Sequence, residues 1–352
     1  MHPGVGYTLI DEASLEGRNT FRVPARAALL ADVASADGLE ALSSFPALQA
    51  GPVLVLGEGS NTLFVGDFPG LVLSVSAHAI DVQADGGDSA LVRVEAGANW
   101  NDFVRWSLAR GFTGLENLSL IPGSIGAGPI QNIGAYGVEL SEFVDSVEAW
   151  DRDSGRARVL ESAECGFGYR DSMFKRQPDR WIVLAVRFRL RRDRALSLDY
   201  AGIREELTRM GVESPRAVHV AEAVCRVRSS KLPDPAVIGN AGSFFKNPIV
   251  DAGAADALLA SAPGLTVFSA GSPAQRKLSA AWLIEQCGWK GRRHGDAGVS
   301  DRHALVLVNH GKASGAQVLE LAQAIAGDVH ARFGVALEPE PRIVGATWEP
   351  PR

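Results

Sequence analysis

A chain of 352 residues can bury more than one hydrophobic core, and 46% apolar with 22% charged residues is the balance of an ordinary globular protein. The net charge of −6 leaves no basic footprint for nucleic acid. No run reaches the roughly 20 apolar residues of a membrane span, and the N-terminal MHPGVGYTLIDEASLEGRNTF lacks the basic start and apolar stretch of a signal peptide. Cys165, Cys225 and Cys287 stand far apart with no C-x-x-C spacing, and His294, His303 and His310 fall at no metal-ligand spacing. The expectation is a soluble, cytoplasmic protein of two or three domains with reduced thiols and no metal.

In chain order, Phe21–Val23 reads as a short strand, and the stretch from Pro24 through Val33 as a helix with Leu29, Leu30 and Val33 on its buried side, ended by Gly38. PVLVLGEGSNTLF is a buried strand breaking into a Gly-rich loop. LVLSVS and ALVRVEAG alternate as strands, with QADGGDS as the turn between them. Asn99 caps a helix whose apolar face is Trp100, Phe103, Val104 and Leu108, and Gly111 stops it. Val144–Trp150 and Ala157–Leu160 bracket the turn DRDSG as a hairpin, and WIVLAVRFRLRRDR is a strand whose arginine end is solvated. From about residue 193 the chain turns helix-rich, two amphipathic pieces being interrupted by Pro215. Ser272 and Pro273 start a helix carrying Leu278, Trp282, Leu283 and Ile284, closed by Gly288. The strand ALVLVN precedes a last helix from about Ser314 to Phe333, and LEPEPRIVGA ends as a short strand or extended edge.

Two loops carry the chemistry. SLIPGSIGAGPIQNIGAY, Ser119 to Tyr136, has glycines at 123, 126, 128 and 134, which let the backbone come close to a ligand with its amides uncovered, while Pro122 and Pro129 stiffen the shoulders. Gln131, Asn132 and Tyr136 add polar and aromatic groups directly behind. The loop lacks the Lys-Ser/Thr end of a Walker phosphate loop and the G-x-G-x-x-G spacing of a Rossmann unit, so another nucleotide fold is required. Gly57, Gly59, Ser60 and Asn61 form a second loop suited to phosphate. Farther on, GYRDSMFK brings together Tyr169, Arg170 and Asp171, and Arg170 offers a planar fork of donors for a carboxylate or enolate unless Asp171 holds it in a local ion pair. GNAGSFFKNP sets Ser243 beside glycines but not in G-x-S-x-G form. Arg228, Lys231, Asn240, Lys246 and Asn247 lie near enough in sequence to hold an anionic ligand, and Glu338 and Glu340 read as a solvated pair of carboxylates.

GEGSN, PGSIGAGPIQNIGAYG, YRDSMFK, GNAGSFFKNP and LEPEPR occur in the order and at the approximate spacings of the UDP-N-acetylenolpyruvoylglucosamine reductase family, and the resemblance runs from Asn19 nearly to the end of the chain. The insert containing Tyr200 resembles the subtype that closes a tyrosine loop over its substrate. The resemblance implies an α+β fold: a two-lobed FAD-binding domain of the vanillyl-alcohol-oxidase (PCMH) type over residues 17–192, with lobes of about 17–74 and 75–192, and a C-terminal α/β substrate domain over 193–345. FAD would be held by Gly57, Gly59, Ser60, Asn61, Pro122, Gly123, Ser124, Gly126, Gln131, Asn132, Gly134, Ala135 and Tyr136.

The implied reaction is ping-pong: NADPH reduces the flavin and leaves, and UDP-N-acetylglucosamine enolpyruvate is then reduced to UDP-N-acetylmuramate for cell-wall synthesis. Carried over position by position, Ser243 gives the proton to C2, Arg170 and Glu340 stabilise the enol-like intermediate, and Tyr169, Tyr200, Arg228, Lys231 and Asn247 bind substrate. A monomer is expected. Another flavin oxidase or dehydrogenase on the same fold, or a flavin-binding module without catalysis, is the alternative. The chain departs from the family where Glu-Val-Arg is usual: Pro341 follows Glu340 and removes a backbone donor. IGAGP in the first loop is a conservative change.

Overall fold

The structure, a computed structural model, describes residues 2–200 and 202–351. The chain divides into two compact units, Met1–Ala13, Ala27–Glu58 and Phe68–Ser229 forming one, and Ser14–Arg26, Gly59–Asp67 and Ser230–Arg352 the other.

The chain opens with β1 (His2–Gly4), β2 (Tyr7–Ser14), β3 (Arg26–Val33), α1 (Ala36–Leu42), α2 (Pro46–Ala50), β4 (Val53–Val55), β5 (Thr62–Phe64) and β6 (Phe68–Val75). In the first unit a sheet of order β1-β2-β3-β6-β4 forms, with β3 and β4 both parallel to β6, Leu30 and Leu54 standing opposite Val72. The helix expected from Pro24 through Val33 is therefore a strand. RAALLADV places apolar residues at helical spacing, but β3 is flanked by a strand on each side, and lateral pairing decides the matter. The helix begins three residues later. Ser35 Oγ caps it by accepting from Gly38 N at 3.1 Å, so Gly38 sits in the first turn rather than closing the helix.

Next come β7 (Ile80–Asp85), β8 (Ser89–Glu95), α3 (Trp100–Ala109), the two-residue strands β9 (Gly134–Ala135) and β10 (Val138–Glu139), β11 (Val144–Asp151), β12 (Arg156–Glu161), α4 (Met173–Arg176) and β13 (Trp181–Arg191). An antiparallel sheet of order β12-β11-β13-β8-β7 is the second layer of this unit. Part of the expected turn QADGGDS belongs to strands: Gln83–Asp85 ends β7 and Ser89 starts β8. Asn99 caps α3 as expected, accepting from Asp102 N at 3.1 Å, and Trp100, Phe103 and Val104 are buried in the same core as Phe188. The arginines ending β13 are ion-paired at the surface, Arg187 with Glu148 at 2.7 Å and Arg192 with Asp85 at 2.8 Å. The unit finishes with α5 (Ile203–Arg209) and α6 (Ala217–Lys231), whose Ile203, Leu207, Val220 and Val224 form a separate small core.

The second unit holds β14 (Gly239–Ser243), β15 (Ile249–Asp251), α7 (Ala252–Ser261), β16 (Val267–Ser269), β17 (Gln275–Leu278), α8 (Ala280–Gln286), β18 (Arg293–His294), β19 (Ala297–Val299), β20 (Val306–Asn309), α9 (Gly315–Phe333) and β21 (Arg342–Val344). Its sheets are β14-β20-β19-β18, β15-β17-β16 and the parallel pair β21-β5. The helix expected from Ser272 starts only at Ala280. Gln275–Leu278 pairs with both β15 and β16 instead, and Ser279 Oγ accepts from Trp282 N to cap α8. α9 runs as expected, opened by a reciprocal cap between Ser314 and Gln317 and closed by Gly334 at φ 66°.

Candidate functional site

In the first unit the loop from Ser119 to Tyr136 is stitched to the end of β8 and the start of α3. Ile125 N donates to Ala98 O at 2.8 Å, Gly126 N to Ala96 O at 2.9 Å, and Trp100 N to Gly123 O at 2.9 Å. The amide of Gly126, expected to face a phosphate, is thus already spent, as is that of its neighbour Ile125. Gly126 is glycine for a different reason, since a Cβ there would stand 2.7 Å from Ala96 Cβ. The amides of Gly123, at φ 120°, and Ser124 take no part in the stitching. Gly57 comes close to Ser124: a Cβ on it would lie 2.7 Å from Ser124 Oγ and 3.4 Å from Ala127 Cβ. Asn99 Nδ2 joins the two loops again through Glu58 Oε1 at 2.9 Å. Uncovered amides, a hydroxyl and a glycine whose missing Cβ leaves room suit the pyrophosphate of FAD. Pro122 is exposed and Gln131 half-buried at the loop's rim.

Behind the cradle, Gly134 and Ala135 pair with Glu139 and Val138. Arg170, itself at φ 53°, donates from Nη2 to Gly134 O at 2.6 Å and lies over the Tyr169 ring, 5.4 Å from its centroid. Asp171 does not hold it; that carboxylate pairs with Arg176. The buried Asn132 is occupied in shaping the loop, its Nδ2 donating to Glu139 Oε2 at 2.8 Å and Gly168 O at 3.0 Å, its Oδ1 accepting from Ser141 N at 2.9 Å.

Tyr136 meets Tyr200 edge to face at 5.2 Å, and Tyr200 keeps 45% of its surface exposed. Burial pushes the Tyr136 phenol up, and the Arg228 guanidinium acts in the opposite direction. Arg228, on α6, is the odd group. Withdrawal from water pushes its own pKa down, its Nε is sealed from solvent without a hydrogen-bond partner, and the groups that act on it are Tyr136, Cys225 and Arg170. None is a carboxylate. A cation so placed, with a second guanidinium nearby, is a seat for an anionic ligand.

In the second unit Ser243 ends β14 opposite Val306, preceded by Gly242 at φ 70°. Asn240 makes the irregularity before it: Oδ1 accepts from Gly242 N at 2.9 Å and Nδ2 donates to Pro233 O and Ile238 O. Beyond Ser243 the chain runs antiparallel to the segment carrying Glu340. Glu340 N donates to Phe244 O at 2.7 Å, Lys246 N to Glu338 O at 3.0 Å, and Phe245 stands opposite Pro339. Asn61 Nδ2 donates to Glu340 O at 3.3 Å and Arg342 N to Asn61 O at 2.9 Å. Within this unit, Asn61, Ser243 and Glu340 therefore share one neighbourhood. The loop of Gly59, Ser60 and Asn61 rests on the preceding segment, Thr20 N donating to Gly59 O, and a Cβ at Gly59, φ 64°, would strike Arg18 O at 2.1 Å.

The polar groups near Ser243 in sequence do not all face a ligand. Lys246 pairs with Glu338 at 2.9 Å, so Glu338 is not a partner of Glu340. Asn247 Oδ1 accepts from Ala280 N at 3.0 Å in the first turn of α8, leaving its amide nitrogen as the end available to a substrate. Lys231 is exposed at the end of α6. Asn117 escaped the sequence reading although it is fully buried and bonded to the backbone of Tyr136; a Glu-Asn pair inside the apolar run Leu115–Leu120 was the available signal. The thiols are passive: burial pushes Cys165 up to about 12 and also raises Cys225 and Cys287. Among the described residues no helix is long and apolar enough to cross a membrane.

Residues 27–161 match the family model described as FAD binding domain. Two-sheet architecture and glycine-lined cradle together make this an FAD-dependent oxidoreductase with an α+β fold of the vanillyl-alcohol-oxidase type. Residues 234–344 match the C-terminal domain of UDP-N-acetylenolpyruvoylglucosamine reductase. The reductase of that name from Xanthomonas campestris pv. campestris (strain 8004) is 54% identical over 342 residues, 97% of this chain and 98% of the relative. That of Xanthomonas euvesicatoria pv. vesicatoria (strain 85-10) is 53% identical over 343 residues, with the same coverage. The crystal structure of UDP-N-acetylenolpyruvylglucosamine reductase (MurB) from Thermus caldophilus superimposes with a TM-score of 0.66 at 27% identity, covering 96% of this chain and 98% of that one. The chain belongs to the UDP-N-acetylenolpyruvoylglucosamine reductase family.

Proposed function

We propose that the chain reduces UDP-N-acetylglucosamine enolpyruvate to UDP-N-acetylmuramate with NADPH as electron donor and FAD as resident cofactor, a cytoplasmic step of peptidoglycan precursor synthesis. The observation that carries this reading is 54% identity to a reductase of that name along 97% of the chain. The cradle of Gly57, Pro122, Gly123, Ser124, Gly126, Gln131, Asn132, Gly134, Ala135 and Tyr136, with Gly59, Ser60 and Asn61, holds FAD. When bound, FAD supplies the two-electron redox chemistry that links the two substrates.

The protein's own work is proton delivery and charge. Reduction adds a hydride at C3 and a proton at C2 of the enolpyruvyl group, and between the two steps negative charge passes through C2 into the carboxylate. Ser243 gives the proton, Arg170 balances the negative charge that precedes it, and Arg170 and Glu340 together stabilise the enol-like intermediate. A serine hydroxyl is a weak acid, but a carbanionic carbon is a strong base, so short reach and correct aim suffice. Tyr169, Tyr200, Arg228, Lys231 and Asn247 bind the substrate, and Arg228, whose Nε is sealed from solvent with no carboxylate among the groups acting on it, supports an anionic one. The insert with Tyr200 puts the chain in the tyrosine-loop subtype. By ligand, residues 17–192 serve FAD and lend Tyr169 and Arg170 to the substrate, residues 193–345 serve the substrate, and the chain acts as a monomer.

The test is anaerobic. NADPH should bleach the yellow protein and the enolpyruvyl nucleotide should restore the colour; NADPH without bleaching would refute the reductase reading. In Ser243→Ala, bleaching should keep near the parental rate while recolouring slows about a hundred- to ten-thousand-fold, the loss expected of a positioned general acid. Recolouring within a few-fold of the parent would remove Ser243 from that role.

A further inference from the structure

Asn117 lies in the 3-10 turn Leu115–Leu118 and is 0% exposed. Its Nδ2 donates twice, to Tyr136 O at 2.9 Å and to Ser197 O at 3.0 Å. Both donors of the amide are thus used, and both acceptors are backbone carbonyls of segments that lead to touching aromatic rings. Tyr136 is one ring of the edge-to-face pair, and Ser197 stands three residues before Tyr200, the other. The same two segments pack on one apolar cluster: Tyr136, Leu196 and Leu198 all lie against Ile203, Leu207, Val220 and Val224. Tyr136 holds φ 51°, a conformation an L residue adopts only when its surroundings impose it.

The turn that presents Asn117 is built as a rigid support. Glu116, also 0% exposed, accepts from Gly114 N through Oε2 at 2.6 Å, and Ser119 Oγ donates to Glu116 O at 2.8 Å. Burial pushes the Glu116 carboxyl up. Glu116 Oε1 and Asn117 Oδ1 are sealed from solvent without a partner. Two adjacent buried oxygens left bare cost free energy that packing alone does not require, because leucine would fill the position of Asn117 without that cost. What leucine would not supply is the pair of bonds to residues 136 and 197.

We propose that Asn117 is a positioning residue for substrate binding, a buried clamp that fixes the backbone of Tyr136 and the chain entering Tyr200 in one geometry, so that the two rings present a common face. Fully buried, it acts through those two segments. The proposal rests on the reading that Tyr200 binds the enolpyruvyl nucleotide, and the test keeps the two apart.

In Asn117→Leu, hydrogen exchange of ligand-free holoprotein should rise at Leu196–Leu198 and at Tyr136 while the β11 and β13 amides stay protected. The KM for the enolpyruvyl nucleotide should rise roughly tenfold, the scale of two neutral hydrogen bonds, with kcat and the rate of NADPH bleaching within about twofold of the parent. Val147→Ala, which opens a cavity on β11 in the large core that also holds Leu115 and Leu118 but leaves both bonds of Asn117 in place, serves as a control of lowered stability. It should leave KM unchanged. Asn117→Ser covers the event that the leucine variant does not fold. Unchanged exchange at Leu196–Leu198 in a folded variant overturns the clamp whatever the kinetics show. Raised exchange with unchanged KM keeps the clamp but separates it from substrate binding, and that overturns the positioning role. Equal loss in Val147→Ala reduces Asn117 to a contributor to general stability. Failure of the Tyr200 reading has its own signature, an unchanged KM in Tyr200→Phe.

Discussion

Arg228 is the residue at which function and stability pull in opposite directions. Its Nε is buried without an acceptor, burial depresses its pKa, and the groups acting on it are a phenol, a thiol and another guanidinium. In the absence of ligand it is a cost to the fold. A buried donor left unmade costs about 1–3 kcal/mol, so Arg228→Met, which keeps the length of the stem and removes the charge, should raise the ligand-free Tm by roughly 2–12 °C on the scale of a domain of 150–250 residues. The same change removes a charge-assisted hydrogen bond to an anionic ligand, worth about 1.5–3 kcal/mol, so the enolpyruvyl nucleotide should bind about ten- to a hundred-and-fifty-fold more weakly. The assay is a pair of measurements on holoprotein: thermal melting without nucleotide, and calorimetric titration with it. A lower Tm in Arg228→Met would mean that the guanidinium is satisfied inside the fold, and the argument for an anion seat would fail with it.

Two further outcomes follow from single groups. Gly57→Val should drive the two Gly-rich loops apart, because its Cβ would stand 2.7 Å from Ser124 Oγ; the purified protein should be folded by circular dichroism but colourless, and stoichiometric flavin in it would move the pyrophosphate elsewhere. Cys165, pushed from about 9 up to about 12 by burial, binds its proton more tightly when folded than when unfolded. Its contribution to stability is therefore full below pH 9 and is lost as pH rises from there toward 12. Cys165→Ala should flatten that alkaline loss in denaturant titrations, whereas an identical pH profile would show that the thiol titrates alike in both states.

Local signals in the sequence were read correctly where one residue type does one local job. Asn99 caps α3 within a few residues of itself, and the apolar periodicity of the last helix marks its span from about Ser314 to Phe333. The strand Arg26–Val33 is hidden because what makes it a strand is pairing with β2 and β6 on its two flanks, which its own run of apolar residues does not declare. β17 was hidden for the opposite reason: QRKL carries too few apolar residues to declare a strand, and only its pairing to β15 and β16 makes it one. The site divides in the same way. Gly57, Ser124, Arg170 and Ser243 stand in motifs with composition unlike ordinary turns. Asn117 acts on carbonyls 19 and 80 residues away, and no window of sequence contains both ends of that clamp.

Pro341 is the departure from the family pattern that bears most directly on the candidate chemistry, since it follows Glu340 and has no N–H to give. The ladder in which it sits answers how much is lost. Glu340 N donates to Phe244 O and Lys246 N to Glu338 O, so residues 338 and 340 turn their polar groups toward the Phe244–Lys246 segment, and Phe245 stands opposite Pro339 between those bonds. The backbone bends at Glu340 and Pro341, between that pairing and β21, and the next donor is Arg342, whose N–H reaches Asn61 O at 2.9 Å. Proline is tolerated at such a bend, and the bond that holds the backbone of Glu340 comes from its own N–H. Its fixed φ also restricts the unfolded chain, an effect of about 0.4–1 kcal/mol in favour of the fold. Pro341→Val should accordingly leave recolouring by the enolpyruvyl nucleotide within about twofold and lower the Tm by a few degrees at most. A recolouring rate that rises tenfold or more in Pro341→Val would show that the missing donor had weakened Glu340 after all, and would return that carboxylate's geometry to question.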